Sequence, residues 1–166
     1  MNRRGFIKHT ASTAIATATV STTVGARASQ KVSKSKRASA KRKILTSKVP
    51  KPGAPYSQAI VAGDTIYVAG QGAFRADTGQ MVSGGIEEQT AGTLENIKAI
   101  LEAAGASMDD VVKVNVYLAD LADFAKMNEV YKRYFREDYP ARATVGVKLL
   151  GTMQIEVECV AVTTKA

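Results

Sequence analysis

The apolar period of this chain changes at Ile86, and that change limits the folds open to it. Before Ile86, short apolar runs alternate with turn residues. Ile44-Leu45-Thr46 opens a first strand. Ala59-Ile60-Val61-Ala62 and Thr65-Ile66-Tyr67-Val68 flank Gly63-Asp64, a strong hairpin signal. After Ile86, Leu94, Ile97, Leu101 and Ala104 recur at helical spacing, and Gly105 sits where a C-capping glycine would. Val112, Val114, Val116 and Leu118 then alternate with Lys113, Asn115 and Tyr117, which marks a strand with one core face. A second helix is expected from about Leu121 to Arg136, with Phe124, Met127, Tyr131 and Tyr134 on one stripe and Pro140 blocking its continuation. Two more strands, near 142–148 and 153–163, meet through Leu150-Gly151-Thr152.

The order β-β-β-α-β-α-β-β describes an α+β domain: a six-stranded mixed sheet with two helices packed on one face. The other sheet face is left uncovered. Val160 and Val162 share it with Glu156 and Glu158, so it is not strongly polar, and self-association is expected.

The net charge of +8 describes neither half of the chain. Residues 1–51 hold 13 of the 23 Lys/Arg and no Asp or Glu; residues 52–166 hold 10 basic residues against all 15 acids. The folding part is therefore acidic, which argues against nucleic-acid binding by that part. The one histidine, His9, precedes it, and the one cysteine, Cys159, lies in an apolar strand. A Cys/His zinc site and a Ser-His or Cys-His nucleophile pair are excluded from the core, as is an intrachain disulfide. Chemistry must come from Arg, Asp/Glu, Tyr, Asn, hydroxyls, backbone groups and water.

Residues 1–28 read as an export signal of the twin-arginine type. Asn2-Arg3-Arg4-Gly5-Phe6-Ile7-Lys8 precedes a weakly apolar Ala/Thr-rich run, and Ala26-Arg27-Ala28 offers a small-residue cleavage site. The run is too short and polar for a stable membrane span. The competing account is a basic leader of no consequence. Residues 29–43 are Lys/Arg/Ser/Ala-rich and read as a solvated flexible tether, and the domain is expected to occupy 44–166. If the signal operates, the protein works in the periplasm or another extracytoplasmic space; if not, in the cytoplasm.

On the fifth strand, Arg142, Thr144 and Gly146 share a face; on the sixth, Gln154, Glu156 and Glu158 do. If the two strands pair antiparallel through Gly151, the arginine lies beside the glutamates. Two accounts then stand level: a structural cross-strand ion pair, or a clamp for a small carboxylate beside an acid/base group.

Along residues 44–164 the chain resembles the RidA/YjgF family of enamine/imine deaminases. The resemblance is carried by Gly53-Ala54-Pro55-Tyr56-Ser57-Gln58 and Val68-Ala69-Gly70-Gln71, then by Gln89 with Thr93-Leu94-Glu95-Asn96-Ile97. Phe124-Ala125-Lys126-Met127-Asn128 follows, and last come Pro140-Ala141-Arg142 and Ile155-Glu156-Val157-Glu158. It implies a chorismate-mutase-like fold, a homotrimer with sites at subunit interfaces, and no cofactor. It also implies hydrolysis of 2-iminobutanoate or 2-iminopropanoate to the 2-oxo acid and ammonia.

By the same resemblance, Arg142 clamps the substrate carboxylate and Glu156 positions water and moves protons. The Thr144 carbonyl holds water or amine, Tyr56 closes a wall, Asn128 assists from the second helix, and Gly70 lets backbone approach the ligand beside Ala69. Core packing for Tyr56, helix-surface solvation for Asn128 and a turn role for Gly70 are the plainer alternatives. Ala69 and Thr144 depart from the hydroxyl residue and the cysteine that many family deaminases carry there; the first bears on substrate preference. A non-catalytic trimer that binds small carboxylates or a partner is the second functional class. An RNA-cleaving protein is a third, disfavoured by the acidic domain.

Overall fold

A computed structural model describes residues 41–135 and 138–163. The leader and most of the basic segment, residues 1–40, lie outside the described residues. Among the described residues the elements run in the order β1 (Arg42–Ile44), β2 (Ala59–Ala62), β3 (Thr65–Gln71), α1 (Ile86–Ala104), β4 (Val111–Leu118), α2 (Phe124–Tyr131), β5 (Ala141–Gly146) and β6 (Ile155–Val162).

The expected element order holds, with two adjustments. The first strand lies two residues earlier than Ile44-Leu45-Thr46, because Arg42, Lys43 and Ile44 pair with Val61, Ile60 and Ala59. Only Ile44 of the three is buried. An edge strand tolerates such charged side chains, so hydrophobicity alone places its start too late. The second helix is shorter than 121–136: a 3₁₀ turn occupies Leu121–Asp123, and the α-helix ends at Tyr131.

Helix α1 forms where the sequence places it. At its start, the Gly85 N–H donates to the Glu88 carboxylate at 2.9 Å, satisfying one of the donors a helix N-terminus leaves open. At its end, Gly105 takes φ 89°, and its N–H donates to the Leu101 and Glu102 carbonyls. Leu94, Ile97, Ile100 and Leu101 are fully buried on its sheet side. Each contributes about 1.5–3 kcal/mol by leaving water; truncating Leu94 to Ala would cost roughly 2–5 kcal/mol.

The sheet order is β1-β2-β3-β6-β4-β5. All neighbours are antiparallel except β4 and β5, which are parallel. This corrects the expected pairing of β5 with β6. The chain leaves β4, crosses through α2 and returns beside β4 in the same direction, as a parallel connection requires. The connection over 147–154 then carries it past β4 to the slot between β4 and β3. That is longer than the two to five residues of a tight hairpin.

The register fixes which side each residue faces. Val114 and Val116, buried toward the helices, stand opposite Arg142 and Thr144. Asn115 and Tyr117, on the other face, stand opposite Glu158 and Glu156. Arg142 therefore points to the helix side of the sheet and Glu156 to the uncovered side, with β4 between their strands. The cross-strand ion pair does not exist within the chain. The uncovered face also carries Tyr67, which pairs with Val160 and is half exposed.

Candidate functional site

Two cavities divide the expected site residues between them, except Thr144, which lines neither. The first, about 690 Å³, is lined by Phe124, Asn128, Glu129, Tyr131, Tyr139 and Arg142 among others. Its one strand residue is Arg142, near the start of β5. The guanidinium carbon lies 4.5 Å from the Tyr131 ring centroid and 5.8 Å from that of Phe124. Among the described residues no carboxylate lies within salt-bridge distance of Arg142. Glu129, in the same cavity, is taken by Lys132 at 2.8 Å. A half-buried cation held by aromatic faces, with no anion of its own, suits a planar carboxylate.

Asn128 joins Arg142 in this cavity, one helical turn after Phe124 and nearly one before Tyr131. Thr144 follows Arg142 on the same strand face, and its hydroxyl oxygen is buried without a hydrogen-bond partner. Because β5 has only one neighbour, part of its backbone also stays unpaired at the sheet edge. Burial pushes the Tyr131 hydroxyl up to about 12, against the opposing pull of the Arg142 charge. The Arg142 guanidinium interacts with that hydroxyl, short of a hydrogen bond of full geometry.

The second cavity, about 610 Å³, is lined by Tyr56, Ala69, Gly70, Gln71, Asn96 and Glu156 among others. Its floor is an irregularity in β3, where the register with β6 shifts between Val68 and Gln71. The Gln71 amide donates to the carbonyls of Ala69 (3.0 Å) and Gly70 (3.1 Å), which locks the irregular backbone. Glu156 lies directly against Gly70: a Cβ built there would overlap its Oε1. Close approach, not turn geometry, accounts for this glycine.

The cavity walls are pinned by two side chains. The buried Gln58 accepts from the Thr46 N–H at 2.7 Å and donates to the carbonyls of Thr46, Val49 and Pro50 at 3.2, 3.1 and 3.0 Å. Asn96 donates to the carbonyls of Gly72 and Phe74 at 2.9 and 3.0 Å. Tyr56 is 54% exposed and lines the cavity, so it does not pack the core.

The two glutamates of β6 differ in their surroundings. Glu158 accepts from Asn115 Nδ2 at 2.8 Å and from the Tyr117 hydroxyl at 2.9 Å, a cross-strand network that commits it to structure. Glu156 has no hydrogen-bond donor among the described residues. Burial, and then the nearby Glu158 charge, raise its carboxyl above the usual range. A carboxyl in that state takes and returns protons near neutrality more readily than an ordinary one. Cys159 is buried, with its thiol pushed up to about 12, chiefly by burial; it is no nucleophile. Among the described residues no group of His, Cys, Asp or Glu is placed to hold a metal ion.

The endoribonuclease L-PSP family model matches residues 46–163, a span holding both cavities and every site residue named. The chain belongs to the RidA/YjgF family. A RutC family protein from Pyrococcus abyssi is 58% identical over 123 residues, which cover 74% of this chain and 97% of that protein. The human 2-iminobutanoate/2-iminopropanoate deaminase is 45% identical over 123 residues, covering 74% and 90%. Among solved structures, Escherichia coli TdcF with bound serine superposes with a TM-score of 0.71 at 37% identity, covering 74% of this chain and 99% of that one. The RidA-like fold expected from the motifs is the fold observed.

Sequence reasoning places Arg142, Thr144 and Asn128 in one site with Tyr56, Ala69, Gly70 and Glu156. Within one chain the structure separates them into an arginine half and a glutamate half. It adds Phe124 and Tyr131, which pattern alone marks only as a helix stripe. Their signal is present in the sequence: two aromatics seven residues apart on the helix that precedes the arginine strand.

Proposed function

We propose that this protein is a cofactor-independent deaminase that hydrolyses small 2-imino acids to 2-oxo acids and ammonia. The observation that carries the proposal is a pair of charges uncommitted among the described residues: Arg142 without an anion and Glu156 without a donor, each in its own cavity. The names of moderately identical relatives support the same chemistry.

In this mechanism, the Arg142 guanidinium holds the substrate carboxylate through two parallel N–H···O contacts. Asn128 and the edge backbone of β5 at Thr144 present further polar groups to the water or amine. Glu156 takes a proton from water as the oxygen adds to the imine carbon. It gives that proton to the imine nitrogen to form the carbinolamine, then carries the new hydroxyl's proton to the amine as the C–N bond breaks, so that ammonia leaves and the C=O of the 2-oxo acid forms. Tyr56 closes the wall beside it, and the Gly70 backbone lets the reacting carbon approach. Ala69 offers no hydroxyl beside it, which leaves the choice of imine to the rest of the pocket.

A carboxylate and an imine carbon are one bond apart, so the two halves must meet. In one chain they face opposite sides of a sheet, two strand spacings apart, roughly 10 Å before the sheet's own thickness is added. Each site therefore takes its arginine half from one copy and its glutamate half from another. The half-exposed face around Tyr67, Val160 and Val162 supplies the contact, and a homotrimer with three equivalent sites is the proposed assembly.

The test is ammonia release from 2-iminopropanoate generated in situ. Purified domain should accelerate it, and Arg142→Ala should lower kcat/KM by about 100-fold or more, the loss of two charge-assisted hydrogen bonds. Equal rates with and without the domain would refute the proposal. Binding of a 2-oxo acid without turnover would favour the non-catalytic carboxylate-binding alternative.

The twin-arginine pattern of residues 1–28 adds a proposed address outside the cytoplasm. Fractionation of cells making the tagged full-length chain should find it there, and Arg3→Lys with Arg4→Lys should retain it inside. Unchanged distribution would rule out export by this route.

A further inference from the structure

We propose that Tyr131 is the positioning residue of the carboxylate clamp: its ring, braced by Phe135, carries the Arg142 guanidinium and leaves the N–H fork free for substrate. This rests on Arg142 binding the substrate carboxylate as described above. An arginine on an edge strand, with no carboxylate among the described residues in salt-bridge reach, otherwise samples many rotamers. Here the guanidinium carbon stands 4.5 Å from the Tyr131 ring centroid. The ring cannot drift, because Tyr131 is 4% exposed and Phe135 5%. Their centroids are 4.4 Å apart with planes tilted by 33°.

A π face is the right kind of support for this purpose. It attracts the guanidinium through its flat side and does not use the in-plane N–H groups. A carboxylate support would occupy the fork that substrate needs. Glu129, which lines the same cavity, is engaged by Lys132 instead. The Tyr131 hydroxyl makes no hydrogen bond of full geometry but lies close enough to Arg142 to feel it, so the comparison with Tyr131→Phe separates the oxygen's share from the ring's.

The test compares Tyr131→Phe, which keeps the ring, with Tyr131→Met and Tyr131→Leu, which remove it. Steady-state kinetics with 2-iminopropanoate and calorimetric binding of 2-oxobutanoate are the readouts, and thermal melting identifies the folded variants. Tyr131→Phe should stay within about threefold of the parent. Whichever ringless variant folds should raise KM and weaken 2-oxobutanoate binding by about tenfold, with kcat changed by less than about threefold. Combined with Arg142→Ala, the ringless substitution should lower the residual kcat/KM no further, because Tyr131 acts through the arginine.

An unchanged KM in the ringless variants, an equal loss in Tyr131→Phe, or a further tenfold loss on top of Arg142→Ala would overturn the proposal. A parent protein that neither binds 2-oxobutanoate nor turns over would overturn the clamp itself, and this inference with it.

Discussion

Replacing Gly70 by alanine should separate activity from stability. The added Cβ would overlap Glu156 Oε1 and lie 2.9 Å from its carboxyl carbon and 3.3 Å from its Cγ. Neither strand backbone is in the way, so the carboxylate swings aside. Forcing a side chain away from its preferred rotamer costs about 0.5–1.5 kcal/mol, a fall in melting temperature of roughly 2–6 °C. The catalytic cost is larger, because a displaced Glu156 no longer reaches water or nitrogen. A positioned acid/base contributes about 100- to 10,000-fold, so kcat for ammonia release should fall by at least about 100-fold. KM should rise as well, because the added methyl also narrows the approach that the Gly70 backbone leaves the substrate, so kcat is the readout that reports on Glu156. Ammonia release and thermal melting on the same preparation decide the matter. A folded Gly70→Ala protein with kcat within about threefold of the parent would refute the assignment of Glu156.

Glu156→Gln should lower kcat by a similar factor while stabilising the fold at neutral pH. The native carboxyl is raised by burial and by Glu158, so the folded state holds its proton to higher pH than the unfolded chain does. The penalty is absent below the unfolded-state pKa, grows as pH rises to the raised folded value, and is complete above it. The melting-temperature advantage of the glutamine variant should follow that course, and an advantage confined to acid pH would contradict the assigned shift. Mixing offers a test of shared sites. Arg142→Ala and Glu156→Gln chains, each inactive alone, should regain about a quarter of parental activity when unfolded together and refolded. No recovery would mean that both residues of a site come from one chain.

Local pattern made most of the fold legible. The period-2 runs, the helical spacing after Ile86 and the glycine at 105 are consequences of short-range sterics and burial, and the elements appear where those rules put them. β1 escaped because an edge strand needs backbone pairing more than apolar side chains, so its charged residues looked like linker. α2 was overdrawn because Tyr134 keeps the apolar period after the helical hydrogen bonds have given way to turns.

The chemistry proposed for the site was legible from residue types. One arginine, paired glutamates and the lack of usable histidine and cysteine narrowed it to carboxylate binding and proton transfer by water and acid. What the sequence could not decide was which strands are neighbours. Two strands joined by one turn look like a hairpin, yet the parallel return through α2 puts β5 at the sheet edge and β6 two places away. That topology sends Arg142 to the helix face and Glu156 to the open face, because residues opposite one another in register share a side. Residue chemistry is written in the chain itself. Whether two residues meet depends on strand order, a property of long-range packing, and here it places Arg142 and Glu156 on opposite faces of the sheet.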